Sequence, residues 1–213
     1  MDISQKNRIL DFLDRTYPDA GCELWYQKDY HLLIAVVLSA QTTDISVNQV
    51  TPVLFKKFPR LEDLANAQIR QIEKVIQRIG LFHTKAKHIQ AIAKTLIEKH
   101  GGKVPSDKQT LMQLPGVGVK TANVVRAEWF HIPEIAVDTH VHRIARRLGF
   151  TKANDDVTVT EKKLRLAISS ERYIKLHHQF IHFGRYHCKA KKPHCEQCPM
   201  LDLCKEPKKN LKE

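Results

Sequence analysis

Leu114-Pro115-Gly116-Val117-Gly118-Val119-Lys120-Thr121-Ala122-Asn123-Val124-Val125 reads as helix, tight turn, helix. Pro115 cannot continue the helix that ends at Leu114. Gly116 and Gly118 are expected to take backbone angles closed to other residues and to leave the amides around them uncovered. The helix that follows, Val119 to Phe130, begins with free N–H groups at the positive end of its dipole, an arrangement that binds phosphate. Contacts of that kind read a nucleic-acid backbone and not its sequence. A Gly-x-Gly pair alone equally fits an ordinary tight connection between helices. The whole Leu-Pro-Gly-Val-Gly block is far more specific.

Outward from this hairpin the pattern stays helical, and strand signals are rare. Leu32 to Leu38 is the longest apolar run. It is far below the ~20 residues that span a membrane, so it reads as a central buried helix. Asn7 to Phe12 begins a short amphipathic helix. Thr43 is placed to cap a helix through Val47 and Val50, which Pro52 should kink or break. Leu61 to Ala65 and Ile69 to Ile79 predict two more helices, ended by Gly80. Thr84 should cap a helix with Ile89, Ile92 and Leu96 on its apolar face, stopped by Gly101 and Gly102. Ser106 and Gln109 have capping-box spacing for a short helix ending near Leu114. Asp138 or Thr139 should cap another that runs to Leu148, with Gly149 beyond it. Leu164 to Ile168 and Tyr173 to Phe183 complete the set. About ten short helices and almost no strand make an all-α protein.

The chain has 213 residues, long enough for a substantial core in one or two domains. Hydrophobic residues form 42% of it, too many for a disordered chain. With 8 glycines and 9 prolines, it is neither collagen-like nor linker-like. Lys and Arg number 35 against 23 Asp and Glu, a formal charge of +12. Such an excess implies an anionic partner, nucleic acid first and an anionic membrane surface second. The start, Met1 to Lys6, shows no basic leader before an apolar stretch, so a cytoplasmic location is expected.

Lys120 follows the hairpin directly, and Asp138 comes 18 residues later in Val137-Asp138-Thr139-His140-Val141. The plain reading is a phosphate-contacting lysine and a helix-capping aspartate. The chemical reading is a neutral lysine amine that attacks a sugar carbon and forms a Schiff base. A carboxylate would then stabilise developing positive charge and move protons. Four of the five cysteines, Cys188, Cys195, Cys198 and Cys204, fall within 17 residues. Zinc ribbons usually present two Cys-x2-Cys knuckles, whereas only Cys195 and Cys198 form one here. The irregular, compact spacing favours a [4Fe–4S] cluster over zinc. Lys189, Lys191 and Lys192 lie on the loop between the first two ligands and are placed to meet phosphates. Cys22 stands apart as a free thiol.

The three motifs, in this order and spacing, resemble the endonuclease III family, bacterial DNA glycosylases and abasic-site lyases of the helix-hairpin-helix superfamily. Leu38-Ser39-Ala40-Gln41-Thr42-Thr43-Asp44 and Gly80-Leu81-Phe82 share the likeness, which runs from about Ile9 to Cys204. The resemblance implies two helical domains: a six-helix barrel over residues 21–131, and a cluster domain from residues 1–20 and 132–213. It implies that Lys120 is the nucleophile and Asp138 its assistant. It implies that the four cysteines hold [4Fe–4S], and that Gln41 and Leu81 fill the gap left by a flipped nucleotide. The resemblance further implies a monomer whose partner is double-stranded DNA with damaged bases or abasic sites, with no membrane. Val119 replaces a frequent Arg or Pro, His142 a common Phe, and Phe183 a frequent His. Among rivals, the adenine mismatch glycosylase lacks the lysine and carries a further C-terminal domain. A non-catalytic DNA-binding iron–sulfur module and a zinc-stapled adaptor are the others.

Overall fold

The computed structural model describes residues 1–211, which fold into eleven α-helices and no strand. The all-α expectation therefore holds. The chain divides into two compact units, one from Glu23 to Ile132 and one from Met1–Cys22 with the chain from Pro133 onward. No helix among the described residues is long and apolar enough to cross a membrane.

The 23–132 unit is built around α2 (Asp29–Leu38), whose residues from Tyr30 to Leu38 are all buried. A helix apolar all round has no face to offer water, so neighbours cover it on every side. It packs against α3 (Asp44–Lys57), α6 (Phe82–His100) and α8 (Val119–Phe130). The Thr43 hydroxyl caps α3 by accepting from the Ser46 amide at 3.2 Å, as its position foretold. Pro52 does not break α3, which runs on to Lys57. Burial of Val50, Thr51, Leu54 and Phe55 on either side of the proline holds the last turns in place. The next helices are α4 (Leu61–Asn66) and α5 (Ile69–Ile76), the latter ending three residues short of the expected Ile79.

Two cap assignments differ from expectation. α6 starts at Phe82, with Leu81 and not Thr84 before its first turn. α7 (Lys108–Met112) is capped by Asp107, whose carboxylate accepts from the Thr110 amide and hydroxyl at 2.8 and 2.7 Å. An aspartate one position after Ser106 is the stronger acceptor, and this register buries Leu111 completely.

The other unit begins with α1 (Ile3–Thr16), four residues before the expected start at Asn7. Asp2 and Gln5 form a reciprocal capping box there. α9 (Thr139–Arg147) is capped by Asp138, and Gly149 sits beyond its end at φ +81°. α10 (Val157–Ala167) is more than twice the length expected, because Asp156 caps it and its first turns are largely exposed. α11 (Tyr173–His182) continues into a wider π-helical turn at Phe183–His187. Ile9, Leu13, Ile144, Leu164, Leu176, Phe180 and Phe183 form the centre of this unit's core.

Candidate active site and metal centre

The hairpin between α7 and α8 is pinned from below by buried Leu114 and Val117, with the Val117 amide donating to the Leu114 carbonyl at 3.1 Å. Gly116 takes φ +76°, and a Cβ there would lie 2.5 Å from Nδ1 of His88 on α6. Both facts require glycine. Gly118 departs from expectation: its backbone is extended at φ −97° and ψ −179°, which any residue adopts. Nothing lies within 4 Å of a Cβ built on it, and it brings no side chain to the first turn of α8. Its contribution is an open approach to the helix start rather than a special angle. Lys120 is exposed on the first turn of α8, beside Val119, which is also exposed.

In the same unit, Gln41 and Leu81 share an unusual feature. Both are exposed and both occupy the left-handed region, at φ +55° and +60°. Neither is a glycine, so the fold must hold each of them there. One side chain behind them was not foreseen. Lys85 on α6 is buried, and its Nζ donates to the carbonyls of Leu38 and Ala40 at 2.9 and 2.7 Å and to the Thr42 hydroxyl at 3.0 Å. Burial draws its ammonium below the ordinary lysine range. The sequence did carry a signal: position 85 lies on the stripe of Ile89, Ile92 and Leu96, where a charge is out of place.

Asp138 belongs to the other unit. It is half-buried, and its Oδ1 accepts from the Val141 amide at 2.8 Å. The helix that it starts is tied to the first cysteine by two arginines. Arg143 donates to the carbonyls of Gly184 at 2.8 Å and Cys188 at 3.3 Å, and its Nη2 lies 3.2 Å from Nδ1 of His140. Burial and then the nearby arginine charges hold His140 below the ordinary histidine range, against the pull of Asp138. Arg147 donates to the Cys188 thiol at 3.3 Å and to the Lys189 carbonyl at 2.8 Å, and Glu206 accepts from its Nε at 2.9 Å. Lys189, Lys191 and Lys192 are all exposed on the loop, with Lys192 at φ +49°.

All four clustered cysteines are partly buried free thiols. Short turns space them: the Cys198 amide donates to the Cys195 carbonyl at 3.0 Å and the Cys204 amide to the Leu201 carbonyl at 3.3 Å. Burial pushes the Cys198 thiol up, and the charges of Cys188, Cys204 and Cys195 push it further. Four thiolates gathered in this way repel one another unless a cationic centre draws them together. Among the described residues no three His, Cys, Asp or Glu side chains close around a single ion. A cubane takes one thiolate at each of four separate irons, so its ligands need not converge on a point. The four partly buried thiols match the four thiolates that a [4Fe–4S] cluster takes.

A helix-hairpin-helix with an exposed lysine, together with an iron–sulfur loop, defines an all-α DNA glycosylase architecture. Comparisons with known proteins agree. Residues 34–169 match the HhH-GPD superfamily of base excision DNA repair proteins, and residues 188–204 match the iron–sulfur binding domain of endonuclease III. The endonuclease III of Bacillus subtilis is 45% identical over 213 residues, covering 100% of this chain and 97% of that protein. A trapped endonuclease III–DNA covalent intermediate is similar at 48% identity and a TM-score of 0.91, with 96% of this chain and 97% of that one covered. A non-covalent endonuclease III–DNA complex gives 47% identity and 0.92, with 96% of each chain covered. The chain belongs to the endonuclease III family of HhH-GPD base excision DNA repair proteins, and it carries that family's [4Fe–4S] centre.

Proposed function

We propose that this chain removes oxidised pyrimidines from duplex DNA with Lys120 as nucleophile and cleaves the resulting abasic site by β-elimination. Its family makes it a base excision repair enzyme, a DNA glycosylase with abasic-site lyase activity. The observation that carries the residue assignment is the exposed lysine on the first turn of α8, directly after the hairpin. The hairpin amides and the dipole of α8 would hold a backbone phosphate, with Gly116 and Gly118 leaving that approach open.

The base leaves with the electrons of its glycosidic bond as the Lys120 amine bonds to the sugar carbon. Ring opening gives a Schiff base. Loss of a proton from the adjacent sugar carbon then expels the 3′ phosphate. Asp138 would stabilise the positive charge that develops on the sugar and relay protons. Gln41 and Leu81 would occupy the gap in the duplex once the nucleotide has left the stack. Lys189, Lys191 and Lys192 would meet phosphates alongside, giving salt-sensitive binding. Cys188, Cys195, Cys198 and Cys204 would hold the cluster, which supplies structural cross-linking when bound. The enzyme would act as a monomer on DNA with damaged bases or abasic sites, in the cytoplasm beside the nucleoid. Its two domains would be a barrel near residues 21–131 and a cluster domain from the remainder.

The test is a duplex with one thymine glycol, incubated with borohydride. Wild type should give a covalent protein–DNA band, and Lys120→Gln none, while both bind the duplex equally. A band of normal intensity from Lys120→Gln would overturn the assignment.

A further inference from the structure

An ammonium has three protons and no acceptor. That of Lys85 meets three oxygens, all neutral, and all within the five residues Leu38 to Thr42. Leu38 is the last residue of α2, so its carbonyl is among those left without a helical partner at the negative end of the dipole. The lysine is therefore a distant cap for α2, reaching 47 residues back along the chain. Between the two carbonyls and the hydroxyl that it grips lies Gln41, held at φ +55°. The local bonds of this turn run mostly back into α2: the Ser39 and Ala40 amides donate to Ala35 at 2.9 Å and Val37 at 3.4 Å, and the Ser39 hydroxyl to Val36 at 2.9 Å, while the Thr42 amide and hydroxyl donate to Ser39 at 3.0 Å and Ala40 at 3.4 Å; none involves the Gln41 amide. At the other end, the backbone amide of Lys85 donates to the carbonyl of Leu81 at 3.0 Å. One residue thus touches both turns that carry an exposed, left-handed, non-glycine side chain.

We propose that Lys85 is a positioning residue, whose ammonium fixes the Gln41 turn against the start of α6 so that Gln41 and Leu81 are presented to the duplex as one rigid wedge. This rests on the reading of Gln41 and Leu81 as the side chains that fill the gap of a flipped nucleotide. Lys85 itself is buried and never meets DNA. Its effect is on extrusion of the nucleotide, and neither on phosphate binding nor on the chemistry of Lys120.

The experiment separates these steps. A duplex carries 2-aminopurine beside a thymine glycol, and fluorescence reports unstacking when protein binds. Strand cleavage is also measured on a single strand with a preformed abasic site, which needs no extrusion. Lys85→Met removes the ammonium and keeps the apolar stem. Thr42→Val removes one acceptor and leaves Lys85 in place, so it serves should Lys85→Met fail to fold. The expected result is a loss of about tenfold or more in unstacking and duplex cleavage for Lys85→Met, as for loss of hydrogen bonds to a charged group. Thr42→Val should lose less in the same assays, and both variants should cleave the single strand normally. Gln41→Ala is the control for the underlying reading. If Gln41→Ala unstacks the duplex as well as wild type, the wedge reading falls and this inference with it. If Gln41→Ala is impaired while Lys85→Met and Thr42→Val unstack normally, the wedge stands and the role of Lys85 alone is overturned. Equal loss on single and double strands by folded Lys85→Met would also overturn it, since that is the mark of general structural damage.

Discussion

A single methyl group at position 116 meets two separate obstacles. The first is φ +76°, which costs an L-residue about 1–2 kcal/mol. The second is the His88 ring, 2.5 Å from the new Cβ. Gly116→Ala should therefore lower stability by about 2 kcal/mol or more and weaken DNA binding, as the hairpin shifts. Gly116→Ala combined with His88→Ala should recover the part due to the clash, relative to His88→Ala alone, and leave the backbone part. Urea unfolding of the four proteins measures this, and strict additivity would show that the ring is not the obstacle. Gly118→Ala, in open space with ordinary angles, should be close to neutral for stability. The sequence marked both glycines alike because the chain itself does not say which of them bears the strain. His88 lies 28 positions before Gly116, and only the packing of α6 beneath the hairpin brings the two together. Lys85 was hidden for the same reason: its acceptors lie in a turn more than forty residues away. Lys120, Asp138 and the four clustered cysteines could be singled out from the sequence because residue type and short spacing mark them as candidates.

Helices with an uninterrupted apolar character were read correctly, and α2 shows both why and at what cost. Its burial on all sides takes in His31, which stacks on Phe55 with ring centroids 3.8 Å apart and planes 13° apart. Trp25 and Tyr30 complete the aromatic surround. Both ring nitrogens of His31 are buried without a hydrogen-bond partner. Burial first, then the Lys28 charge, holds the ring down at about 4, with Asp29 pulling the other way. In the unfolded chain the ring titrates near 6.5, so the unfolded state binds a proton first as pH falls. Above pH 6.5 both states are neutral and the effect is absent. Between 6.5 and about 4 stability should fall by up to about 3 kcal/mol. Thermal unfolding across that range should show the loss, and His31→Phe should reduce it while keeping the stack. An identical pH profile in the variant would place the acid sensitivity elsewhere. Elements with weak patterns were read less well. α10 opens with Val157-Thr158-Val159-Thr160, which suits a strand as readily as a helix, and the Asp156 cap with buried Thr160 and Leu164, one turn apart, decides it.

At the scale of the whole molecule, each unit has an apolar core, but the cysteine segment draws on a different source of stability. Residues 23–132 own a continuous apolar core around α2, with Ile72, Ile76, Ile89 and Ile92 fully buried. The segment from Cys188 to Cys204 has no α-helix and one short helical turn at Cys195–Gln197, and only Pro193 and Met200 are buried in it. So little burial cannot order 17 residues against their conformational entropy. The order must come largely from coordination, which confers folding free energy on the loop that it cross-links. Loss of iron, by oxidation and chelation, should then unfold this loop first. The Arg147 contacts to Cys188 and Lys189 should go with it, and the C-terminal turn of α9 should loosen. Amide hydrogen exchange should show the loss of protection confined to residues near 187–206 and the end of α9. Amides of α2 and α8 should stay protected, because their core holds no part of the loop. Simultaneous loss of protection in α2 and α8 would show instead that iron supports the whole chain as one cooperative system.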